Sequence, residues 1–220
     1  MTDITFDIET VPNTSMLDRL PKAAAKTGNL KDPAKIAEKE AAARQEQIEK
    51  MALSPLYGRV CAWVAAEDSN TVFSDCIQAE NDAEETRVLE AAFKVLAGNR
   101  IVTYNGTSFD LPFIYRRAIL LGIDTREFGM PPLSELTARF QRRAEAKHID
   151  IMTTWCGYGN FEKLDNIASA LLEDHKNVID FHDFPEMIKT PEGRKTLLDY
   201  CTQDVLLTQR IFNRISGILI

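Results

Sequence analysis

Ile4-Thr5-Phe6-Asp7-Ile8-Glu9-Thr10 is a run of β-branched and aromatic residues that predicts a short strand. Side chains alternate along a strand, so the three apolar residues share one face while Asp7 and Glu9 share the other. Two neighbouring carboxylates at the end of an apolar strand repel each other and lose hydration, and a divalent cation commonly offsets that cost. An exposed edge strand with its acids in water also fits these residues, because D-x-E is a common tripeptide.

The rest of the chain alternates between strand and helix patterns. Strands are predicted over 59–66, 71–74 and 100–104, the first two forming a hairpin, and helices over 33–51, 81–97, 111–121, 148–155, 164–172 and 192–218. The pattern leaves open a break in the last helix. This order predicts one α/β domain over residues 1–220, with a mixed sheet covered by helices.

The helix predicted over 33–51 is an insertion after the first strand. Ala, Glu, Lys, Arg and Gln dominate it, and Asp32 before Pro33 is a typical helix start. Its few apolar residues indicate a solvated surface helix. A role in binding a partner or guiding a substrate stays open, because the insertion directly follows the acidic strand.

The composition narrows the class of protein. The chain has 220 residues and no apolar run near the roughly 20 residues that span a bilayer. Met1-Thr2-Asp3 lacks the features of a signal peptide, and the four cysteines form no C-x-x-C pair, so we expect free thiols in a reducing cytoplasm. A disulfide or zinc site is the alternative. The net charge of −7 argues against non-specific coating of nucleic acid but not against an enzyme that acts on it.

Two further segments carry acidic residues at the start or on the face of a helix. The first is Asn105-Gly106-Thr107-Ser108-Phe109-Asp110-Leu111-Pro112-Phe113, where a strand gives way to a helix. Asp110 would be favoured there by the helix dipole, and a plain N-cap is the alternative interpretation.

The second segment pairs Tyr200 with Asp204, one turn apart on the last helix. A surface aspartate beside a half-buried tyrosine fits that pair equally well.

Taken in order, D-x-E, N-G-x-x-F-D-x-P and Y-x-x-x-D resemble the three motifs of the DEDD 3′–5′ exonucleases, which have a ribonuclease H-like fold. The tyrosine matches the DEDDy branch. The other branch has a histidine five residues before the last aspartate, where this chain has Asp199. His148-Ile149-Asp150-Ile151 is similar to a His-Leu-Asp-Leu-like segment of predicted stand-alone exonucleases related to the exonuclease domain of family-B DNA polymerases. The resemblance covers nearly the whole chain.

The resemblance implies a ribonuclease H-like mixed sheet flanked by helices, and a site that holds two Mg²⁺ or Mn²⁺ ions. It implies that Asp7 bridges both ions, that Glu9 and Asp204 complete the tighter site, and that Asp110 holds the second ion. Tyr200 would orient the attacking water. The expected activity is 3′–5′ exonuclease hydrolysis of single-stranded or frayed DNA to nucleoside 5′-monophosphates by a two-metal mechanism.

Other residues are candidates for binding the substrate. Asn105 and Phe109 are expected to shape the terminal-nucleotide pocket, although Phe109 also fits the core, and the amide of Thr10 is expected to meet the 3′ end. The basic candidates for phosphate contacts are Arg116, Arg117, Arg139, Arg142, Arg143 and Lys147. His148 and Asp150 are expected to hold structure, and His175 and His182 receive no role.

Two alternative functions remain at this point. A 3′–5′ exoribonuclease would use the same catalytic set, since only contacts to the 2′ position separate the sugars. A binding module of the same fold without catalysis would be expected to lack one or more of the metal ligands, which this chain retains. Neither the oligomeric state nor the biological pathway follows from the sequence.

Overall fold

The computed structural model describes residues 2–23, 25, 28, 30–67, 71–138 and 146–219. In this part of the chain one sheet has the strand order β3-β2-β1-β4-β5. The strands are β1 (Asp3–Pro12), β2 (Gly58–Ala66), β3 (Val72–Cys76), β4 (Arg100–Thr103) and β5 (His148–Asp150). β2 is antiparallel to both β1 and β3, while β4 and β5 run parallel to β1. The sheet is therefore mixed, as predicted, with the acidic strand at its centre.

The helices follow the predicted order closely. They are α1 (Pro33–Glu49), α2 (Asp82–Leu96), α3 (Asp110–Leu121), α4 (Leu133–Leu136), α5 (Ile151–Cys156), α6 (Leu164–Leu172), α7 (Phe184–Met187) and α8 (Pro191–Leu219). Short 3₁₀ helices cover Thr14–Arg19, Lys50–Leu53, Thr125–Phe128 and Phe181–Asp183. The last helix has no break over its 29 residues. Within the described residues, no helix combines the length and the apolar character needed to cross a membrane.

The two faces of β1 have the roles that its alternation predicts. Ile4, Phe6 and Ile8 are buried in the main core, together with apolar side chains of α2 and α3. α8 covers part of the other face of the sheet, where Cys201 and Val205 pack against β2. Because both faces are covered, the acids of β1 are not on an exposed edge strand.

The prediction of a helix over 148–155 is wrong at its start. His148–Asp150 is a strand that pairs with β4, and the helix begins only at Ile151. A strand of three residues is too short to show an alternating pattern. The Asp150 carboxylate also accepts a hydrogen bond from the Thr153 amide at 3.2 Å, so it caps α5.

The inserted helix α1 forms as predicted, with Asp32 capping it and Pro33 in its first turn. It contains no buried residue, which agrees with a solvated surface helix. Its carboxyl end continues into Lys50–Leu53, where Met51 and Ala52 are buried. All four cysteines are free thiols, as expected, and Cys61, Cys76 and Cys201 are buried.

Candidate active site

The predicted catalytic residues line one open cavity of about 460 Å³. Asp7 and Glu9 come from the central strand, Asp110 from the start of α3, and Tyr200 and Asp204 from α8. The fold brings the three segments together because β1 lies between β2 and β4, with α8 packed across the sheet. All five residues that the sequence assigns to catalysis therefore lie at one place.

An irregularity in the sheet occurs at the acidic end of β1. The pairing with β2 shifts by one residue between Glu9 and Thr10, because Cys61 is an extra residue in β2. Such bulges increase the local twist and redirect side chains near functional sites. Asp7 and Glu9 both precede the shift and remain on the same side of the strand.

Asp110 holds α3 against the central strand. Its Oδ1 accepts a hydrogen bond from the Ile8 amide at 3.2 Å, and the residue is 2% exposed. α3 begins at Asp110 itself, and its N-cap residue, Phe109, forms no side-chain cap. The N-cap interpretation of Asp110 is therefore wrong.

Lys176 supplies a positive charge to the acidic cavity. Its Nζ lies 2.5 Å from Oδ2 of Asp204 and 5.0 Å from the centroid of the Tyr200 ring. Burial disfavours its charge, but the contacts with Asp204 and Tyr200 outweigh this effect and raise the pKa of Lys176. The lysine therefore stays protonated at neutral pH.

Four carboxylates of the cavity, those of Asp7, Glu9, Asp110 and Asp204, resist ionisation when no metal is bound. Burial is the main cause that raises the pKa of Asp7, Glu9 and Asp110, and repulsion between the carboxylates adds to the effect for Glu9 and Asp110. Burial also raises the pKa of Asp204 to about 6, despite the nearby lysine. For all four acids to be ionised at neutral pH, the cavity needs more positive charge than Lys176 alone provides.

The donor set fits hard divalent cations. Asp7, Glu9 and Cys201 each offer a ligand atom within 4.8 Å of the other two. Burial raises the pKa of the Cys201 thiol well above its usual range, so carboxylate oxygens are the available charged ligands, which Mg²⁺ and Mn²⁺ prefer. Oδ1 of Asp204 is buried and has no hydrogen-bond partner among the described residues. A bound cation would satisfy that oxygen.

Asn105 and Phe109 both line the cavity, as predicted for the terminal-nucleotide pocket. Asn105 has a φ of +66°, which asparagine tolerates better than most residues. A Cβ on the next residue, Gly106, would lie 2.2 Å from Oγ1 of Thr103, so the loop can approach β4 this closely only with glycine. Phe109 also packs on the core, with its ring centroid 5.4 Å from that of Phe113.

Thr10 does not line the cavity. It is 9% exposed, and its hydroxyl donates to the carbonyl of Ala52 at 2.8 Å. The pairing of β1 with β2 shifts by one residue between Glu9 and Thr10. The expected contact of its amide with the 3′ end therefore stays a prediction.

The basic residues proposed for phosphate contacts have different environments. Arg117 is a wrong prediction, because its guanidinium is buried and binds both carboxylate oxygens of Glu85, at 2.7 and 2.6 Å. Lys147 pairs with Glu135 at 2.8 Å, while Arg116 is exposed. Arg139, Arg142 and Arg143 lie outside the described residues.

His148 and Asp150 have structural contacts. Nδ1 of His148 lies 2.9 Å from the Leu136 carbonyl, and Nε2 lies 2.8 Å from Oγ1 of Thr103. The Asp150 carboxylate accepts hydrogen bonds from the amides of Asn105 at 3.1 Å and Thr107 at 2.9 Å. Asp150 therefore supports the loop that carries Asn105.

Several residues that line the cavity received no role from the sequence, among them Phe161, Lys163 and Lys176. Lys163 precedes α6, and Lys176 follows it in a stretch that has no periodic pattern. A lone lysine in a polar loop resembles any solvated charge. The contact of Lys176 with the carboxylates is seen only in the folded structure, where its side chain lines the cavity.

Comparisons with known proteins bear on the fold and the family of the chain. The structure is similar to that of the family B DNA polymerase from the hyperthermophilic archaeon Pyrobaculum calidifontis, with a TM-score of 0.65 and 17% sequence identity. The match covers 98% of this chain and 24% of the polymerase, so the chain spans about a quarter of that protein. This likeness supports the ribonuclease H-like fold. A comparison with curated proteins gives no significant match.

A family model described as "Predicted 3′-5′ exonuclease related to the exonuclease domain of PolB" matches residues 53–218. The match covers most of the chain and includes the second and third motifs, while the D-x-E strand lies before its start. The chain therefore belongs to this family of predicted exonucleases related to the exonuclease domain of PolB.

Proposed function

We propose that this protein hydrolyses nucleic acid from its 3′ end, with single-stranded or frayed DNA as the preferred substrate and nucleoside 5′-monophosphates as products. The observation that carries the proposal is the convergence of four carboxylates and a tyrosine, from three distant segments, on one cavity. Membership in a family of predicted 3′–5′ exonucleases supports the same class of reaction.

The carboxylates would hold two Mg²⁺ or Mn²⁺ ions. Asp7 would contact both ions, Glu9 and Asp204 would complete one site, and Asp110 would belong to the other. When bound, the ions supply charge neutralisation at the phosphate and make the attacking water more acidic. The buried Oδ1 of Asp204, which lacks a hydrogen-bond partner among the described residues, supports this assignment.

Tyr200 would orient the attacking water rather than remove its proton. Burial raises the pKa of the Tyr200 phenol to about 12, so the hydroxyl keeps its proton at neutral pH. The ring packs 6.0 Å from that of Phe184 and lies beside the Lys176 ammonium, which limits its movement. A fixed hydroxyl can hold a water molecule in one orientation.

Asn105 and Phe109 would bind the terminal nucleotide. Phe109 offers an aromatic surface for the base, and its packing on Phe113 makes that surface rigid. The Asn105 side chain offers both a donor and an acceptor at the cavity wall. The strained backbone of Asn105 is held by the hydrogen bond from its amide to Asp150.

The direct test uses a 5′-labelled single-stranded oligodeoxynucleotide with Mg²⁺ or Mn²⁺. We expect stepwise shortening from the 3′ end, release of nucleoside 5′-monophosphates, and loss of activity with a chelator. A matched RNA incubated in parallel measures the sugar preference. Faster cleavage of the RNA would mean that the protein is a 3′–5′ exoribonuclease.

We predict that Asp7→Ala abolishes turnover and leaves the fold intact, because Asp7 is the ligand assigned to both ions. Activity is measured with the labelled oligonucleotide, and folding by circular dichroism. Nuclease activity that survives Asp7→Ala would contradict the proposed site. A wild-type protein that binds DNA without cleaving it would instead indicate a binding module.

A further inference from the structure

A second cavity of about 570 Å³ adjoins the candidate active site. Its walls come from the loop before α3, the exposed side of α3, the start of α5, and the loop between α5 and α6. We call it the flanking groove, and its principal lining residues are Thr107, Arg116, Thr153, Tyr158, Asn160 and Phe161. Both cavities are within the range of about 300–1,000 Å³ that is typical of ligand pockets.

The flanking groove adjoins the active-site cavity. Asn105 and Phe161 line both cavities, so the two meet at these residues. A polymer chain whose last unit occupies the active-site cavity would reach the groove by passing Asn105 and Phe161.

The charge of the groove suits a polyanion, although the protein is acidic. The chain carries 33 acidic and 26 basic residues, yet none of the described residues that line the groove is acidic. Arg116 is exposed on its wall and forms no ion pair with any described residue. The hydroxyls of Thr107, Ser108 and Thr153 add neutral hydrogen-bond donors. Such groups contact phosphate and sugar oxygens in protein–nucleic acid complexes.

The groove also offers aromatic surface. Phe161 and Tyr158 are 68% and 59% exposed, so much of their surface is open to the groove. Their loop is held in place, because the Tyr104 hydroxyl donates to the Glu162 carbonyl at 2.5 Å and the Asn160 side-chain amide donates to the Cys156 carbonyl at 2.9 Å. Rigid exposed rings in a groove that carries positive charge are the usual way of binding unstacked bases.

We propose that the flanking groove binds the nucleotides next to the 3′-terminal one in a single-stranded substrate. Bases would stack on Phe161 and Tyr158, and Arg116 would contact the phosphate backbone. The inference rests on the proposed function of the neighbouring cavity and adds a preference to it: substrates long enough to fill the groove are bound more tightly. A base-paired 3′ end lacks the free base faces that these rings need.

The test compares a minimal substrate with longer strands. The p-nitrophenyl ester of thymidine 5′-monophosphate occupies only the active-site cavity, whereas a single-stranded octanucleotide also reaches the groove. We expect the ratio of kcat/KM for the octanucleotide to kcat/KM for the ester to fall about tenfold in Tyr158→Ala and in Arg116→Gln. Arg126→Gln, which changes an 85% exposed arginine outside both cavities, is the matched control and should keep the wild-type ratio.

Binding gives a second measurement that does not need turnover. Fluorescence anisotropy with a labelled octanucleotide should show weaker binding for both groove variants. For Arg116→Gln, the slope of log K against log salt concentration should fall by about 0.7, as expected when one phosphate contact to a single strand is lost. The control variant should leave both the affinity and the slope unchanged.

The outcomes separate this inference from the proposed function. If both groove variants hydrolyse all substrates with the wild-type ratio of kcat/KM values and bind the octanucleotide with wild-type affinity, the inference is overturned. The exonuclease proposal would still stand. A wild-type protein that hydrolyses nothing would contradict the exonuclease proposal. In that case, loss of octanucleotide binding in the groove variants would still support the groove, and unchanged binding would reject it.

Discussion

Burial has a different effect on Tyr200 than on the four candidate metal-binding carboxylates. Burial makes the carboxylates costly to ionise, but it keeps the Tyr200 phenol protonated and fixes its ring against Phe184. The hydroxyl is then available as a hydrogen-bonding group of constant charge over the whole neutral range. Its contribution to turnover should be one of orientation.

We predict that Tyr200→Phe lowers kcat by about 10²-fold or more, the range for a positioned group that contacts the reacting water. KM and the midpoint of thermal unfolding should change little, because the ring and its packing remain. Steady-state kinetics on a labelled oligonucleotide measures the effect, with Tyr57→Phe outside the cavity as the control. A Tyr200→Phe enzyme with wild-type kcat would remove Tyr200 from the mechanism.

At the scale of elements, a buried ion pair joins α2, α3 and β2. Arg117 on α3 binds both carboxylate oxygens of Glu85 on α2, and Glu85 also accepts a hydrogen bond from the Val60 amide at 3.0 Å. Glu85 is fully buried, and its charge is balanced mainly by Arg117 and more weakly by Arg59, whose Nε lies 3.8 Å from Oε2. The arginine therefore serves the packing of the helices rather than the binding of phosphate.

We predict that Arg117→Leu lowers the free energy of unfolding by about 3 kcal/mol, because the buried Glu85 carboxylate loses the arginine that binds both of its oxygens and keeps only the weaker contact with Arg59. Arg116→Leu, at the neighbouring exposed position, should cost far less. Urea unfolding measures both variants. The double variant Arg117→Leu/Glu85→Leu should recover part of the loss, and an equally small loss in both single variants would contradict the structural role.

His148 joins β5 to β4 and to the end of α4 as a neutral ring that donates from Nδ1 to Leu136 and accepts at Nε2 from Thr103. Burial lowers the pKa of His148 below its ordinary value of 6.5. In acid the unfolded chain gains this proton before the folded chain does, so the contribution of His148 is complete above pH 6.5 and declines below it.

We predict that the stability advantage of the wild type over His148→Gln shrinks as the pH falls from 7.5 to 5.5. The free energy of unfolding of both proteins in urea, measured at each pH, gives this difference directly. The other titratable groups are the same in both proteins, so their contributions cancel in this difference. A difference that stays constant over this range would show that the ring is not held in its neutral form.

At the scale of the whole molecule, the site exists only in the folded chain. Its acidic residues lie at positions 7 and 9, 110, and 204, and they meet because β1, α3 and α8 pack together. Ligands this far apart in sequence cannot form the same site in the unfolded chain. A cation that binds them must therefore stabilise the folded state.

We predict that Mn²⁺ raises the midpoint of thermal unfolding, with a stabilisation of about 2.7 kcal/mol at 100 times its Kd. Asp204→Asn should remove most of this effect. Asp199→Asn is the matched control, because Asp199 lies on the same helix, is 61% exposed and pairs with Lys195. An equal Mn²⁺ effect in wild type and Asp204→Asn would mean that the ion binds elsewhere.

The sequence by itself determined most of the longer helices and strands, and it indicated the candidate catalytic residues. The alternation around Asp7, the apolar stripes of α2 and α3, and the Tyr200–Asp204 spacing are local patterns, and local patterns reflect the geometry of a single strand or helix. Order and spacing of the three motifs, read together, indicated the family, and the family model confirms it, while the structural match supports the fold.

The tertiary structure decided which charges face one another. Arg116 and Arg117 are neighbours with the same charge, yet one is exposed beside the flanking groove and the other is buried against Glu85. Lys176 meets Asp204, and His148 begins a strand, only because segments distant in sequence lie next to them. Burial and ion pairing depend on these long-range neighbours, whereas periodicity reports only on residues within a few positions along the chain.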